Sequence, residues 1–295
     1  MASRVMWRLI AVLMLLAVSV EAETYTFQQG VADVAHPELG EYAGAHDVVI
    51  ATTTWPASNP DRLRMKYQSG TEQMNTLIRF EGLEVVPDMP EGMQVSSATL
   101  TLTWQYENVF WNGATVDVYE ALKVWADPNA TWDDADTDAP LAWDVAGAQG
   151  TLDRGELLSS TDMGPRSFSQ GIQYDDEEQF TFSLSGRLVQ SWIDDPNTNL
   201  GVIMAMNGEA GSDVTFSSSE ETEDVSFRPV LTIELCPTMG SDLNGDYYID
   251  MFDFTILQSG WGETYGMDDL ALMGQQWLLC SDPDNPECTW SCAGE

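Results

Sequence analysis

The chain has 295 residues, with 11 Lys and Arg against 48 Asp and Glu, a formal net charge of -37 and a pI near 4.1. A surface this acidic excludes ordinary nucleic-acid binding and electrostatic docking on anionic membranes. Yet 43% of the residues are hydrophobic and 10% aromatic, too apolar for a disordered acidic chain and enough for a sizeable core.

Arg4 and Arg8 precede an apolar run from Leu9 to Val20, and Val20-Glu21-Ala22 offers small residues to a signal peptidase. Residues 1–22 therefore read as a signal peptide. The run is too short and wrongly flanked for a membrane span, so the mature chain is expected outside the cell or on its surface. From Glu23 to about Leu235 the hydrophobic pattern has period two. Arg62 to Tyr67 alternates basic and apolar, and Ser97 to Tyr106 places Ala98, Leu100, Leu102, Trp104 and Tyr106 on one face with Thr99, Thr101 and Thr103 on the other. Thr115 to Tyr119, Gln179 to Leu184, Gly201 to Met206 and Val230 to Leu235 read the same way. Such strands between Gly, Pro, Asn and Asp clusters predict an all-β, antiparallel β-sandwich, with Asn112-Gly113 as a hairpin turn. One segment departs: Leu184, Leu188 and Trp192 are spaced four apart, which predicts a short helix.

Arg62, Arg64 and Lys66 share one strand face, and Arg79 on the following strand is placed to join them. Such a stripe either pairs anionic groups of a glycan or is neutralised by the chain's own carboxylates. Trp111, at the expected hairpin tip, and Trp55, in the loop 54–57, are expected to present flat indole platforms to sugar rings. Trp104, Trp125, Trp132 and Trp192 fall in strand or helix registers and are expected in the core.

Beyond Leu235 the composition changes. Residues 236–241 read as a linker, and a helical repeat follows, Asp253 to Trp261 matching Asp269 to Trp277. Phe254, Leu257 and Trp261, then Leu270, Met273 and Trp277, make one apolar face apiece. The repeat opens on Asp242-Leu243-Asn244-Gly245-Asp246-Tyr247-Tyr248-Ile249-Asp250-Met251-Phe252-Asp253. This run offers Asp242, Asn244, Asp246, Asp250 and Asp253 with the Tyr248 carbonyl, the oxygen-only spacing of an EF-hand calcium loop. Tyr247 stands where glycine makes the sharp turn, and no second loop of this kind precedes Asp269, so one structural Ca2+ is expected. Ile249 is expected to point inward. Cys236, Cys280, Cys288 and Cys292 allow disulfides in an exported chain. Pairing Cys236 with Cys280 would close the small unit at both ends, although four cysteines permit three connectivities.

Residues 240–279 resemble a dockerin domain, the duplicated calcium-loop-and-helix module by which secreted bacterial proteins attach to scaffolds. Residues 25–235 resemble the DNRLRE-type domain, grouped as carbohydrate-binding module family 96. That likeness rests on an ordered series: Asn75 to Phe80, Val95 to Leu102, Val116 to Tyr119, Trp125 to Trp132, Leu188 to Trp192, Asn199 to Val202, Phe216 to Glu220 and Arg228 to Leu231. The resemblances imply a jelly-roll-like sandwich that binds extracellular polysaccharide, and a scaffold or cell-surface partner for the C-terminal part.

Catalysis has little support. Gly-x-Ser-x-Gly, phosphate-cradling glycine loops and His-Glu-x-x-His are absent from the sequence. Acid pairs such as Asp133-Asp134, Asp175-Asp176 and Glu177-Glu178 are expected by chance at this composition. The sequence thus points to a secreted, non-catalytic polysaccharide-binding protein that serves polysaccharide capture or breakdown. A structural surface or matrix protein is the alternative, and a polysaccharide lyase or hydrolase a further one.

Overall fold

The structure, a computed structural model, describes residues 23–54, 59–67, 72–86, 93–105, 110–111, 114–163, 166–167, 178–208, 212–285 and 287–288. In chain order these form β1 (Glu23–Gln28), β2 (Ala45–Ala51), β3 (Arg62–Tyr67), β4 (Met74–Phe80), β5 (Met93–Thr103), β6 (Phe110–Trp111), β7 (Thr115–Ala121) and β8 (Asp134–Asp136). Then come β9 (Leu141–Ala142), β10 (Arg154–Asp162), β11 (Arg166–Ser167), β12 (Gln179–Leu184), α1 (Gly186–Asp194), β13 (Val202–Asn207), β14 (Ser212–Ser217), β15 (Val230–Pro237), α2 (Met251–Ser259) and α3 (Met267–Gln276).

Two antiparallel sheets pack face to face as a β-sandwich. One has the order β1-β15-β5-β12; the other has the order β10-β7-β13-β4-β3-β14, with β2 also paired to β4. Alternation decides what each strand contributes. Ala98, Leu100 and Leu102 of β5 enter the shared core with Leu231 and Ile233 of β15, facing Leu63, Met65, Ile78, Val116 and Met204 of the opposite sheet. Phe216 of β14 meets Phe180 and Phe182 of β12 edge-on at 5.8 and 6.2 Å, joining the sheets across the core. Each such fully buried side chain contributes about 2 kcal/mol. Helix α1 forms where the four-residue spacing predicts it. Ser185 caps it by accepting from the Leu188 amide, and Val189 and Trp192 are buried against the sandwich.

The seven-stranded sheet is covered on its outer face as well. Ile50, Leu77 and Ile203 point away from the shared core and are buried under Trp125, Ala130, Ala135, Trp143 and Ala148 of the segment 122–153. The Asp153 carboxylate organises that cover. Fully buried, it accepts from the amides of Asp144 (2.8 Å), Val145 (2.9 Å) and Gly150 (3.1 Å) and pairs with Lys123 Nζ at 2.7 Å.

Three expectations are corrected. The strands flanking 112–113 do not pair with each other: β6 pairs with β11, and β7 with β10 and β13, because β7 is drawn into the centre of its sheet. Residues 236–241 are not a linker. Cys236 and Pro237 complete β15 opposite Gln94 and Met93, Met239 is buried in the C-terminal core, and the Ser241 amide donates to Gln276. Nor does Cys280 pair with Cys236. A turn over Asp282–Asn285 returns the chain, so that Cys280 bonds Cys288 with 5.0 Å between the Cα atoms, while Cys236 stays buried in strand register. Cys292, Trp55, the 112–113 turn and residues 1–22 lie outside the described residues, and of Trp111 the backbone alone is described.

Candidate functional site

On the outer face of the seven-stranded sheet, the edge of the 122–153 cover leaves a cleft of about 180 Å³. It is lined by Tyr119, Trp132, Arg154, Asp117, Asn75 and Asn207, together with Lys66 and Gln149. Period-two geometry explains the gathering: Lys66, Asn75, Asp117, Tyr119 and Asn207 are outward positions of β3, β4, β7 and β13. The cover supplies Trp132. The Asn75 side chain holds the Gly147 carbonyl at 2.7 Å, and Gly147 lies so close beneath the indole that a Cβ there would meet it at 2.5 Å. Trp132 is half-buried, so its ring is partly offered to solvent.

Arg154, at the start of β10, lays its guanidinium over the Tyr119 ring at 4.2 Å. Among the described residues it is the arginine whose guanidinium takes neither a carboxylate nor a backbone carbonyl. Asp117, by contrast, is saturated. It accepts from Thr115 (3.0 Å), Ser160 (2.6 Å), Tyr119 (3.3 Å) and Asn207 (3.3 Å), which fix the carboxylate in place. Burial pushes the Tyr119 phenol up and the Asp117 charge adds to this, while Arg154 acts in the opposite sense. The arrangement suits a polar ring laid against aromatic faces and hydrogen-bonded at its edge.

The basic stripe occupies the expected face, but its charges are met from within the protein. Arg64 forms a bidentate pair with Asp213, with Nε to Oδ1 at 2.7 Å. Lys66 pairs with Glu72, Arg79 with Glu81 at 2.7 Å, and Arg62 lies 3.6 Å from Asp61. Arg79 also stacks on Trp125 at 4.7 Å.

A second, larger cavity of about 660 Å³ opens beside β2, lined by Val48, Val49, Ala51, Pro60, Leu63 and Pro128 among others. Asp47, Asp127 and Glu220 reach it. Burial, reinforced by the charge of Glu220, holds the Asp47 carboxyl well above the usual range, against the pull of Ser219, whose amide donates to it at 2.7 Å. Asp127 is raised by the same two causes and opposed by His46, 3.5 Å away. Of the acid pairs singled out in the sequence, Asp133 and Asp134 lie just before and at the start of β8 in the cover, shortly after Asp127 in the chain but not among the residues lining this cavity, and 175–177 lie outside the described residues.

The acidic C-terminal loop is held by its own backbone amides and by two left-handed residues. Tyr247 adopts φ 72°, the left-handed conformation at the glycine position of a calcium loop, and Gly245 adopts φ 74°. Asp242 accepts from the amides of Gly245 (2.8 Å), Asp246 (3.2 Å) and Tyr247 (2.9 Å). Asp253 is fully buried and accepts from Leu243, Asn244 and Asp250 while closing the capping box of α2. Burial raises the Asp242 carboxyl, its amide donors oppose this, and the Asp253 charge adds to the rise. Among the described residues no three His, Cys, Asp or Glu side chains converge as a metal cluster. The donor set nonetheless fits a hard cation in kind: it is oxygen only, and residues 236–295 contain no Lys, Arg or His to offset their acids.

Ile249 is buried as expected, in a small core with Met239, Leu257 and Met273. Trp261 and Trp277 are exposed at 44% and 37%, against the sequence expectation. Trp261 lies beyond the Gly260 cap of α2, and Trp277 is itself the cap of α3, so the helical period no longer governs either.

Sequence reasoning missed Tyr119, Trp132 and Arg154 as a group. The available signal was the unbroken apolar run Val202 to Met206 in β13, which indicates a strand covered on both faces and hence an outer layer with an edge. No protein-family model matches the chain, and no curated protein matches it.

Proposed function

We propose that this is an exported, non-catalytic polysaccharide-binding protein whose site is the outer-face cleft. The observation that carries the reading is the cleft itself: the Tyr119 and Trp132 rings, hydrogen-bonding amides, and an arginine without a carboxylate partner among the described residues, set in a chain of charge -37. A sugar ring lies against aromatic faces through its C–H groups and satisfies its hydroxyls on flanking polar side chains. Arg154 favours a glycan that carries carboxylate or sulfate. The likeness of residues 25–235 to carbohydrate-binding module family 96 supports the same class of ligand.

The C-terminal part serves attachment to a scaffold or cell-surface partner, in keeping with its likeness to dockerins. Asp242, Asn244, Asp246, Asp250 and Asp253 with the Tyr248 carbonyl would hold one Ca2+, which would neutralise carboxylates that have no cation in their own segment. Affinity electrophoresis of the full chain against alginate, pectate and sulfated glycans tests the proposal. Retardation that weakens with salt and is lost in Trp132→Ala and Arg154→Ala is the expected result. Retardation unchanged in both variants would remove the cleft as the site. A hydrolytic reading would rest on Asp47, Asp127 and Glu220 at the β2 cavity, and release of reducing ends by the purified chain would favour it.

A further inference from the structure

We infer that the disulfide-closed turn after α3 is a clamp that fixes the C-terminal helices to the sandwich, so that the two parts move as one body. The contact is made at the N-terminus of α1. Asp284 takes the Ser185 hydroxyl at 2.6 Å, the Gly186 amide at 2.8 Å and the Arg187 amide at 3.4 Å. Amides of a first helical turn have no partner within their helix, and here a carboxylate from nearly a hundred residues away supplies one. Beside it, Arg187 grips Asp282 through Nε at 3.0 Å and a terminal nitrogen at 2.6 Å, the two-pronged geometry that a guanidinium makes with a carboxylate.

The fit is steric as well as ionic. Pro283 sits over Gly186 so closely that an added Cβ would lie 2.7 Å from the proline Cβ and 2.8 Å from its Cγ. Glycine is a poor choice near the start of a nine-residue helix, and this contact is the reason for it.

The turn is set before it docks. The Cys280–Cys288 bond closes it, the Asp284 amide donates to Asp282, and Tyr248 and Asn285 tie it to the acidic loop through Tyr248 Oη. The Ser281 amide donates to the Tyr247 carbonyl, and Arg187 lies 4.8 Å over the Tyr247 ring. One sandwich arginine therefore touches both the clamp and the turn of the acidic loop, and it brings a positive charge to a segment that has none of its own.

Hydrogen exchange on the full chain tests the inference independently of any glycan. In the wild type the Arg187 amide should be protected although it lies in a first helical turn. Gly186→Ala separates the alternatives by sign. Alanine improves the helix itself, so without a clamp protection there should stay the same or rise. With the clamp, the methyl group displaces Pro283, and exchange at Arg187 and Ser281 should quicken by roughly tenfold or more. Asp284→Asn and the Cys280→Ser/Cys288→Ser pair should act in the same direction, with an increase in the radius of gyration by small-angle scattering. Undiminished protection in Gly186→Ala, or in the paired serine variant, would overturn the clamp.

Discussion

Replacing Asp153 with Asn removes one negative charge and changes almost no volume, so its effect isolates what the carboxylate does for the outer cover. The carboxylate has four partners: Oδ1 takes the Asp144 amide and Lys123, and Oδ2 takes the Val145 and Gly150 amides. An Asn can satisfy only one of these sets. Its NH2 then faces two N–H donors, whichever way the amide is turned. Each orphaned buried amide costs about 1–3 kcal/mol, and Lys123 loses its counter-charge, so the loss should be about 3 kcal/mol. At about 2–4 °C per kcal/mol for a domain of this size, the melting temperature should fall by about 6–12 °C. Urea denaturation followed by tryptophan fluorescence reads this directly, because Trp125, Trp132 and Trp143 all sit in the cover. The pH dependence gives a second reading. Burial by itself raises the Asp153 carboxyl, but the three amides and Lys123 outweigh it and hold the group below its ordinary value. The stabilisation is therefore complete above the unfolded value of about 3.9 and is lost as pH falls through the folded value. The gap between wild type and Asp153→Asn should close in that acid range. A difference under about 0.5 kcal/mol at neutral pH, or one that persists in acid, would refute the assignment of Asp153 as organiser of the cover.

Gly201→Ala should cost more than about 3 kcal/mol, since the residue has φ 73° and a Cβ would lie 2.2 Å from the Ile78 carbonyl oxygen. Gly82→Ala, at φ 75° with nothing within 4 Å, should cost only about 1 kcal/mol; equal losses in thermal melts would contradict the steric argument. Arg64→Ala should destabilise by about 3 kcal/mol, because it strands the buried Asp213, yet leave glycan retardation in place; loss of retardation at full stability would return the binding role to the stripe. Calorimetric titration of the full chain should give one Ca2+ per chain, abolished by Asp242→Ala, and heats no different from buffer would end the calcium proposal.

Much of the sandwich is legible from alternation alone. Ala98, Leu100 and Leu102 of β5, and Trp104 just beyond it, are buried as the sequence expects, and β3 and β12 keep their expected limits. The helix α1 was equally plain, since its four-residue spacing is unlike anything around it. The cleft was not legible, for two physical reasons. Its cover is irregular chain, so no period marks which of Trp125, Trp132 and Trp143 is left half-exposed; the first and last are buried and only Trp132 reaches the cleft. And the lack of a carboxylate partner among the described residues is a property of space: nothing local to Arg154 distinguishes it from Arg64, whose carboxylate lies 149 residues away. The clamp has the same character, as Asp284 and Gly186 meet only because α1 and the disulfide-closed turn reach one corner of the sandwich.

The central claim is that the outer-face cleft takes a sugar ring. It is tested most directly by mapping hydrogen exchange on the full chain with and without whichever polysaccharide retards it most. Binding at the cleft predicts added protection in β7, β13 and residues 147–154, with the β1-β15-β5-β12 sheet unchanged. Protection confined to that sheet, or to the strand edge at β2, would contradict the account.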